Sequence, residues 1–297
     1  NPNPGEYNGE ETVLGILSDV VFSNESGFYS ESFLSISIDT YDEGASIYYT
    51  LDGSEPTVNS FLYDNSISVQ GNTVIKAASF KDGWLRSPIK TRTFILDDQY
   101  NNFPAVFLST DPDNFFDYNT GIYEMGPNAS SDYPHFGANF WEDWEKPVFI
   151  EVLDTNNTYY SSPAGVKIFG GWSRGQAQKS LSLFARGQYG NNEFNYRFFP
   201  DLEIEKFQSL VLRNSGNDWS FTMLRDGYAT GLFKDIDIDI QGYRPMLVYL
   251  NGEFWGLYNL REKVNEHFIA SHHPIDPAEI DLIEVQTANQ GTMNDYN

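Results

Sequence analysis

The sequence predicts a β-rich, α+β chain that opens on a β-sandwich and continues into a second, mixed domain. Three observations carry that expectation. The aromatic share is 16%, with 24 Gly and 14 Pro in 297 residues, a composition of strands broken by many turns. Short runs of alternating apolar and polar residues fill the stretch from Val20 to Leu96, and a helical spacing appears only later, around residues 217–232. The length suits two domains at roughly 100 to 200 residues each.

The alternating runs are Phe33 to Ile38, Ser46 to Leu51, Thr73 to Phe80 and Thr91 to Leu96. Period two describes half-buried antiparallel strands. Between them, Asp42-Glu-Gly44, Asp52-Gly-Ser-Glu-Pro56 and Asp82-Gly83 supply the positive-φ and fixed-φ positions that reverse a chain. About seven short strands in so small a segment predict an immunoglobulin-like β-sandwich. Tyr48, Tyr49 and Trp84 have two readings, a platform for stacking sugar rings or ordinary strand aromatics covering both faces.

Ile47-Tyr-Tyr-Thr-Leu-Asp-Gly-Ser-Glu-Pro-Thr57, with Phe22-Ser, Ser26-Gly-Phe-Tyr29 and Asn72-Thr-Val-Ile-Lys-Ala77, closely resembles the chitobiase/β-hexosaminidase C-terminal module. The resemblance implies an accessory sandwich of secreted, multi-domain bacterial proteins, without catalytic residues of its own. Asn3-Pro-Gly-Glu-Tyr-Asn8 also resembles the end of a lamin-tail-type β-domain. The expected organisation is therefore an upstream tail at 1–15, the sandwich at 16–97, a linker at 98–104 and a second domain at 105–297. No basic or apolar leader opens the chain, which reads as a piece of a longer polypeptide.

In the second part, Pro147 to Asp154 and Gly165 to Gly170 predict two strands joined at Asn156-Asn157, and Lys179 to Arg186 a third. Asn217-Asp218 then caps a predicted helix with Phe221, Leu224, Tyr228 and Leu232 along one face. Arg244 to Leu250, Asn251-Gly252 and Glu253 to Leu260 form the strongest hairpin signal in the chain. A further helix is expected from Arg261 to Ser271.

Several chemistries find no support. Asp111, Asp113 and Asp117 lack the Gly and Glu of a calcium loop, as does Asp235-Ile-Asp-Ile-Asp239, so these read as turn carboxylates. Gly171-Trp-Ser-Arg-Gly175 has the spacing of a hydrolase nucleophile elbow, but a strand follows it where a helix is required. His267, His272 and His273 lack metalloenzyme spacing and read as surface histidines. The chain has no Cys, which removes disulfides and thiol chemistry and leaves the redox compartment open. No apolar run reaches the roughly 18 residues of a membrane helix. A net charge of −24, spread along the chain, repels nucleic acid and anionic membranes.

The order hairpin, strand, helix, hairpin, helix is that of the N-lobe of a protein-kinase-like fold. Phe169-Gly-Gly-Trp-Ser-Arg174, Lys179-Ser-Leu, Tyr189-Gly190, Leu212-Arg-Asn, Asn217-Asp-Trp, Leu224-Arg-Asp226 and Tyr249-Leu-Asn-Gly-Glu-Phe-Trp-Gly-Leu-Tyr258 resemble the spore-coat CotH kinase family, from about Phe107 to Val285. The resemblance implies an atypical secreted or cell-surface protein kinase using ATP and a divalent metal, Mg or Mn. It implies that Lys179 pairs with nucleotide phosphates beneath a turn of Gly170, Gly171, Ser173 and Arg174. One of Asp218, Arg225 and Asp226 is implied to orient that lysine. Leu260 to Lys263 would be the hinge beside the adenine, with Glu262 its polar residue. On composition alone, Lys179 is an exposed strand lysine.

The family places its catalytic Asp, its metal-binding Asp and an Asn after the second helix, and those strings are absent through Asn297. The expectation is an incomplete protein-kinase-like domain, mainly the N-lobe, without phosphotransfer of its own. The implied partners are a protein substrate or coat proteins. Two other readings stay open: a non-catalytic adhesion or coat scaffold, and a carbohydrate-binding accessory region of a surface enzyme. In the kinase reading, Lys179 and Arg174 are the positive pair that offsets the acidic chain.

Overall fold

The computed structural model describes residues 13–96, 102–155, 159–236 and 238–294. The expected upstream tail up to residue 12, most of the linker, the Asn156-Asn157 turn and Asp237 lie outside them. The chain forms two compact units, the first holding residues 13–96 and the second most of the chain from Phe103 onward.

The first unit is a β-sandwich-like module. Its strands are β1 (Val21–Phe22), β2 (Gly27–Phe28), β3 (Leu34–Ile36), β4 (Ile38–Asp39), β5 (Ser46–Thr50), β6 (Phe61–Leu62), β7 (Ile67–Val69), β8 (Thr73–Phe80) and β9 (Lys90–Ile95). They form a five-stranded sheet of order β2-β9-β8-β5-β6 and two strand pairs, β1-β4 and β3-β7. Period two decides which face is buried. Leu34 pairs with Val69 and Ile36 with Ile67, all four buried, while Ser35 and Ser68 between them face solvent. These side chains join Val20, Phe22, Ile38, Ile47, Ile75, Ala77 and Phe94 in one core. The turns use the residues the sequence supplies for them: Gly44, Gly53 and Gly83 have φ of 75°, 91° and 76°. Asp52 Oδ1 closes its turn by accepting from Ser54 N at 2.9 Å and Ser54 Oγ at 2.6 Å.

The second unit is built on a closed barrel. Its strands are β10 (Ala105–Ser109), β11 (Lys146–Leu153), β12 (Tyr159–Phe169), β13 (Ser180–Phe184), β16 (Ser209–Arg213), β17 (Tyr243–Leu250) and β18 (Glu253–Glu262), in the order β10-β11-β12-β13-β16-β18-β17. Two short pairs lie outside it, β14 (Phe194–Asn195) with β15 (Lys206–Phe207), and β19 (Leu282–Glu284) with β20 (Thr287–Gln290). Among the described residues, the α-helices that accompany the strands are α1 (Asp113–Phe116), α2 (Arg225–Gly231) and α3 (Glu266–His272). The β17-β18 hairpin turns at Asn251 and Gly252 with φ of 50° and 87°, the two left-handed positions that favour Asn-Gly.

The helix before that hairpin departs from its predicted start. The Asp218 carboxylate accepts from Thr222 N, Thr222 Oγ1 and Arg225 N, closing a separate turn first, so α2 begins only at Arg225. Its buried contact is Gly227 against the Tyr243 ring, whereas Phe221, Leu224, Tyr228 and Leu232 are exposed. The spacing therefore marks the outer side of this segment. The last predicted helix also starts later, because Asn265 Oδ1 caps α3 through Phe268 N at 3.0 Å and Arg261 and Glu262 remain in β18.

Candidate functional site

The register of the barrel strands brings three chain segments to one end. Phe169 pairs with Ser180, Leu181 with Leu212 and Arg213 with Asn259. The loop that follows β12, the start of β13 and the end of β16 therefore meet there. Between them lies a cleft of about 680 Å³ lined by Phe169, Gly170, Gly171, Trp172, Ser173, Ser180, Arg213, Asn214, Gly216 and Asn217, within the range of small-molecule sites. Of the residues predicted for the site, Gly170, Gly171 and Ser173 line it.

Gly170 has φ of 107°, and Trp172–Gly175 forms a single 3-10 turn. The loop is anchored from behind. Arg174 Nε donates to Gly170 O at 2.5 Å, and its NH1 donates to Phe140 O at 3.1 Å. Tyr133 Oη donates to Trp172 O at 2.9 Å, and Gly175 packs on Tyr133 and Pro134. Arg174 is thus engaged by carbonyl groups of the segment behind the loop.

Lys179 is not the exposed strand lysine that composition suggests. It is 5% exposed and its Nζ donates to Arg174 O and Gln176 O, each at 2.8 Å. The ammonium lies 4.0 Å from the Phe140 ring centroid and 5.1 Å from that of Tyr123. Burial pushes its pKa down to about 8, against the opposing field of Glu124. Lys179 closes the carbonyl side of its own loop, and it is Ser180, the next residue, that faces the cleft.

The cleft floor is a saturated polar network. Asn214 is fully buried. Its amide donates to Gln178 O at 2.6 Å and Gln176 Oε1 at 3.3 Å, and its Oδ1 accepts from Ser180 Oγ and Gly216 N, each at 2.9 Å. Gln176 Nε2 reaches Gly216 O at 3.4 Å, so one side chain spans from the glycine loop to the turn after β16. Ser215 and Met223 have φ of 71° and 58°, and Asn259 Nδ2 ties the two together by donating to Ser215 Oγ and Met223 O. Backbone held in the left-handed region by surrounding bonds is common at binding sites.

The positive group on the cleft wall is Arg213. Its NH1 donates to Asp226 Oδ2 at 2.6 Å, and Arg261 NH1 donates to the same oxygen. Arg261 is almost fully buried and also donates from Nε to Gly242 O at 2.9 Å. Two guanidinium groups on one carboxylate leave a surplus positive charge beside the cleft. Asp218 instead pairs with Arg225 Nε at 3.1 Å. Neither acid has a hydrogen bond or ion pair with Lys179 among the described residues. Glu124 is the carboxylate whose charge acts on it.

The predicted hinge lies at the other end of the same strands. Leu210 pairs with Glu262, three residues from the Arg213 pair, or about 10 Å along a strand. Glu262 is buried, accepts from Gly242 N at 2.8 Å and meets His272 Nε2 at 3.1 Å. Burial raises its pKa, partly offset by Gly242 N–H and His272. His272 is therefore no surface histidine. Glu262 and Lys263 border a second cavity of about 260 Å³.

Residues 166–296 match the family model described as CotH kinase protein, and residues 24–91 match that of the chitobiase/β-hexosaminidase C-terminal domain. The chain carries a CotH kinase domain behind a chitobiase C-terminal domain. No curated protein matches the chain. The CotH match starts on β12, so it takes in the glycine loop, Arg213, α2 and the β17-β18 hairpin. In the CotH domain, β16 is the strand just before the helix, and its Arg213 pairs with Asp226 of that helix. Both residues stand in the strings Leu212-Arg-Asn and Leu224-Arg-Asp226, whereas the resemblance implies Lys179 and Arg174 as the positive pair. Among the described residues, no group of three or more His, Cys, Asp or Glu could hold a metal ion.

Proposed function

We propose that the CotH domain binds a nucleoside triphosphate in the cleft under Gly170 and Gly171, as the nucleotide-holding part of a cell-surface protein kinase. The observation that carries this reading is Arg213, set in the cleft wall and ion-paired to Asp226 of α2. A guanidinium with surplus positive charge attracts phosphate oxygens, and a glycine turn lets backbone approach them. Phosphoryl transfer depends on such positioning and neutralisation. ATP supplies the phosphoryl group when bound. The residues here hold and orient: Arg213 meets phosphate, Ser173 offers a hydroxyl, and Asn214 with Ser180 fixes the floor. Lys179 supports the loop from behind. The acceptor is a surface or coat protein, and the acidic charge keeps the domain soluble outside the cell. No helix among the described residues is long and apolar enough to cross a membrane.

Titration of the chain with a fluorescent ATP analogue and Mg²⁺ tests the reading. Saturable binding that competes with ATP and drops about tenfold in Arg213→Ala is expected, the loss of one charge-assisted contact. Absence of binding, or binding unchanged in Arg213→Ala, overturns it.

A further inference from the structure

The first unit has a cavity of its own. Tyr49, Thr50, Leu51, Asp52, Ser54, Asn59, Ser60 and Phe61 enclose about 340 Å³. Tyr49 on β5 pairs across the sheet with Phe61 on β6, their ring centroids 5.5 Å apart and their planes 36° apart. β6 is the edge strand of its sheet, and Phe61 is 61% exposed. The other aromatics considered for sugar stacking are placed differently. Tyr48 packs edge-on against Phe80, and Trp84 lies against Gly15 with Lys81 over its ring.

The rest of the cavity is polar. Asp52 presents a carboxylate already shaped by its bonds from Ser54. The Asn59 side chain is exposed and makes no hydrogen bond to a described residue. An exposed Phe61 ring backed by the half-buried Tyr49, which also packs on the sandwich core, together with a carboxylate and an open amide, fits a ligand with one apolar face and a rim of hydroxyls. A neutral pyranose with equatorial hydroxyls has that construction, because its axial C–H bonds form flat faces. The acidic chain disfavours anionic polysaccharides.

We propose that the cavity between Tyr49 and Phe61 is a carbohydrate subsite for a neutral, glucose-configured pyranose. The ring lies on Phe61 and Tyr49, and Asp52 and Asn59 bind its hydroxyls. This site is independent of the nucleotide cleft and makes the first unit a targeting module for a surface polysaccharide.

Isothermal titration of the full chain with cellotetraose and with the β-1,4-linked N-acetylglucosamine tetramer provides the test. Binding of at least one is expected, weakened about tenfold by Phe61→Ala and comparably by Asn59→Ala, as loss of one stacking or bidentate contact dictates. Tyr41→Ala, an exposed aromatic outside the cavity, should leave binding unchanged. Phe61 and Asn59 are exposed, so their variants keep the fold, which circular dichroism checks. Failure of both tetrasaccharides to bind at millimolar concentration overturns the proposal, as does binding that survives Phe61→Ala.

Discussion

Asp226 Oδ2 accepts from both Arg213, at 2.6 Å, and Arg261, so one carboxylate on α2 joins two barrel strands. The two arginines differ in environment. Arg261 is 2% exposed at its side chain and Arg213 is 36% exposed. The same acid therefore serves one buried and one solvent-facing cation.

Removal of that acid should be far worse than removal of Arg213. Asp226→Ala strands the buried Arg261, and breaking a buried pair costs about 3 kcal/mol or more. One third of Asp226 is exposed, which brings the expected loss to about 2–3 kcal/mol. Arg213→Ala, at a wetter position, should cost under about 1 kcal/mol. Urea unfolding of both variants checks the ratio.

Lys179 should titrate near pH 8, two units or so below an ordinary lysine. Its folded pKa lies below its unfolded one, so the unfolded chain binds more protons between those values and stability rises with pH across that window. The neutral amine still has two N–H donors for Arg174 O and Gln176 O. Lysine-selective NMR titration gives the midpoint directly. Lys179→Met should flatten the rise in stability above pH 8, and an unchanged slope would count against the assignment.

Gly227→Ala sets two known magnitudes against each other. Alanine favours a helix interior over glycine by about 1 kcal/mol. The added Cβ, however, would stand 2.3 Å from the Tyr243 ring, and overpacking costs about 1–3 kcal/mol. Net destabilisation is expected, with α2 displaced from Tyr243. A melting temperature below wild type confirms it, and a rise would show that the helix relaxes freely.

Glu262→Gln should stabilise the chain at neutral pH. Burial raises the Glu262 pKa, so wild-type stability falls as pH rises from the ordinary carboxylate value through the raised one. Glutamine keeps an oxygen for Gly242 N–H without the charge. The advantage should vanish in acid, where Glu262 is protonated, and thermal unfolding at several pH values measures the trend.

Sheet patterning was legible wherever one face meets solvent. Leu34-Ser-Ile36 and Ser46 to Leu51 alternate, and Asn251-Gly252 marks its own turn. Strand β16 was missed because Leu210-Val-Leu212 is apolar throughout and buried on both sides, which leaves no period to read. The glycine loop was legible for the same reason as the turns, as a run that only special backbone accommodates. Arg213 was not, because its meaning lies in Asp226 and Arg261, partners that only the barrel register and α2 bring together. Lys179 shows the opposite case: composition reads it as an exposed lysine and the family resemblance implies a phosphate ligand, while Phe140 and Tyr123 enclose its head from segments far upstream.

The anchoring of the loop from Gly170 to Gln176 has a thermodynamic consequence. Tyr133, Arg174 and Lys179 already hold it in one conformation, so a ligand entering the cleft has little chain entropy to remove. Association should then proceed in a single kinetic phase limited by encounter, without a slower closing step behind it.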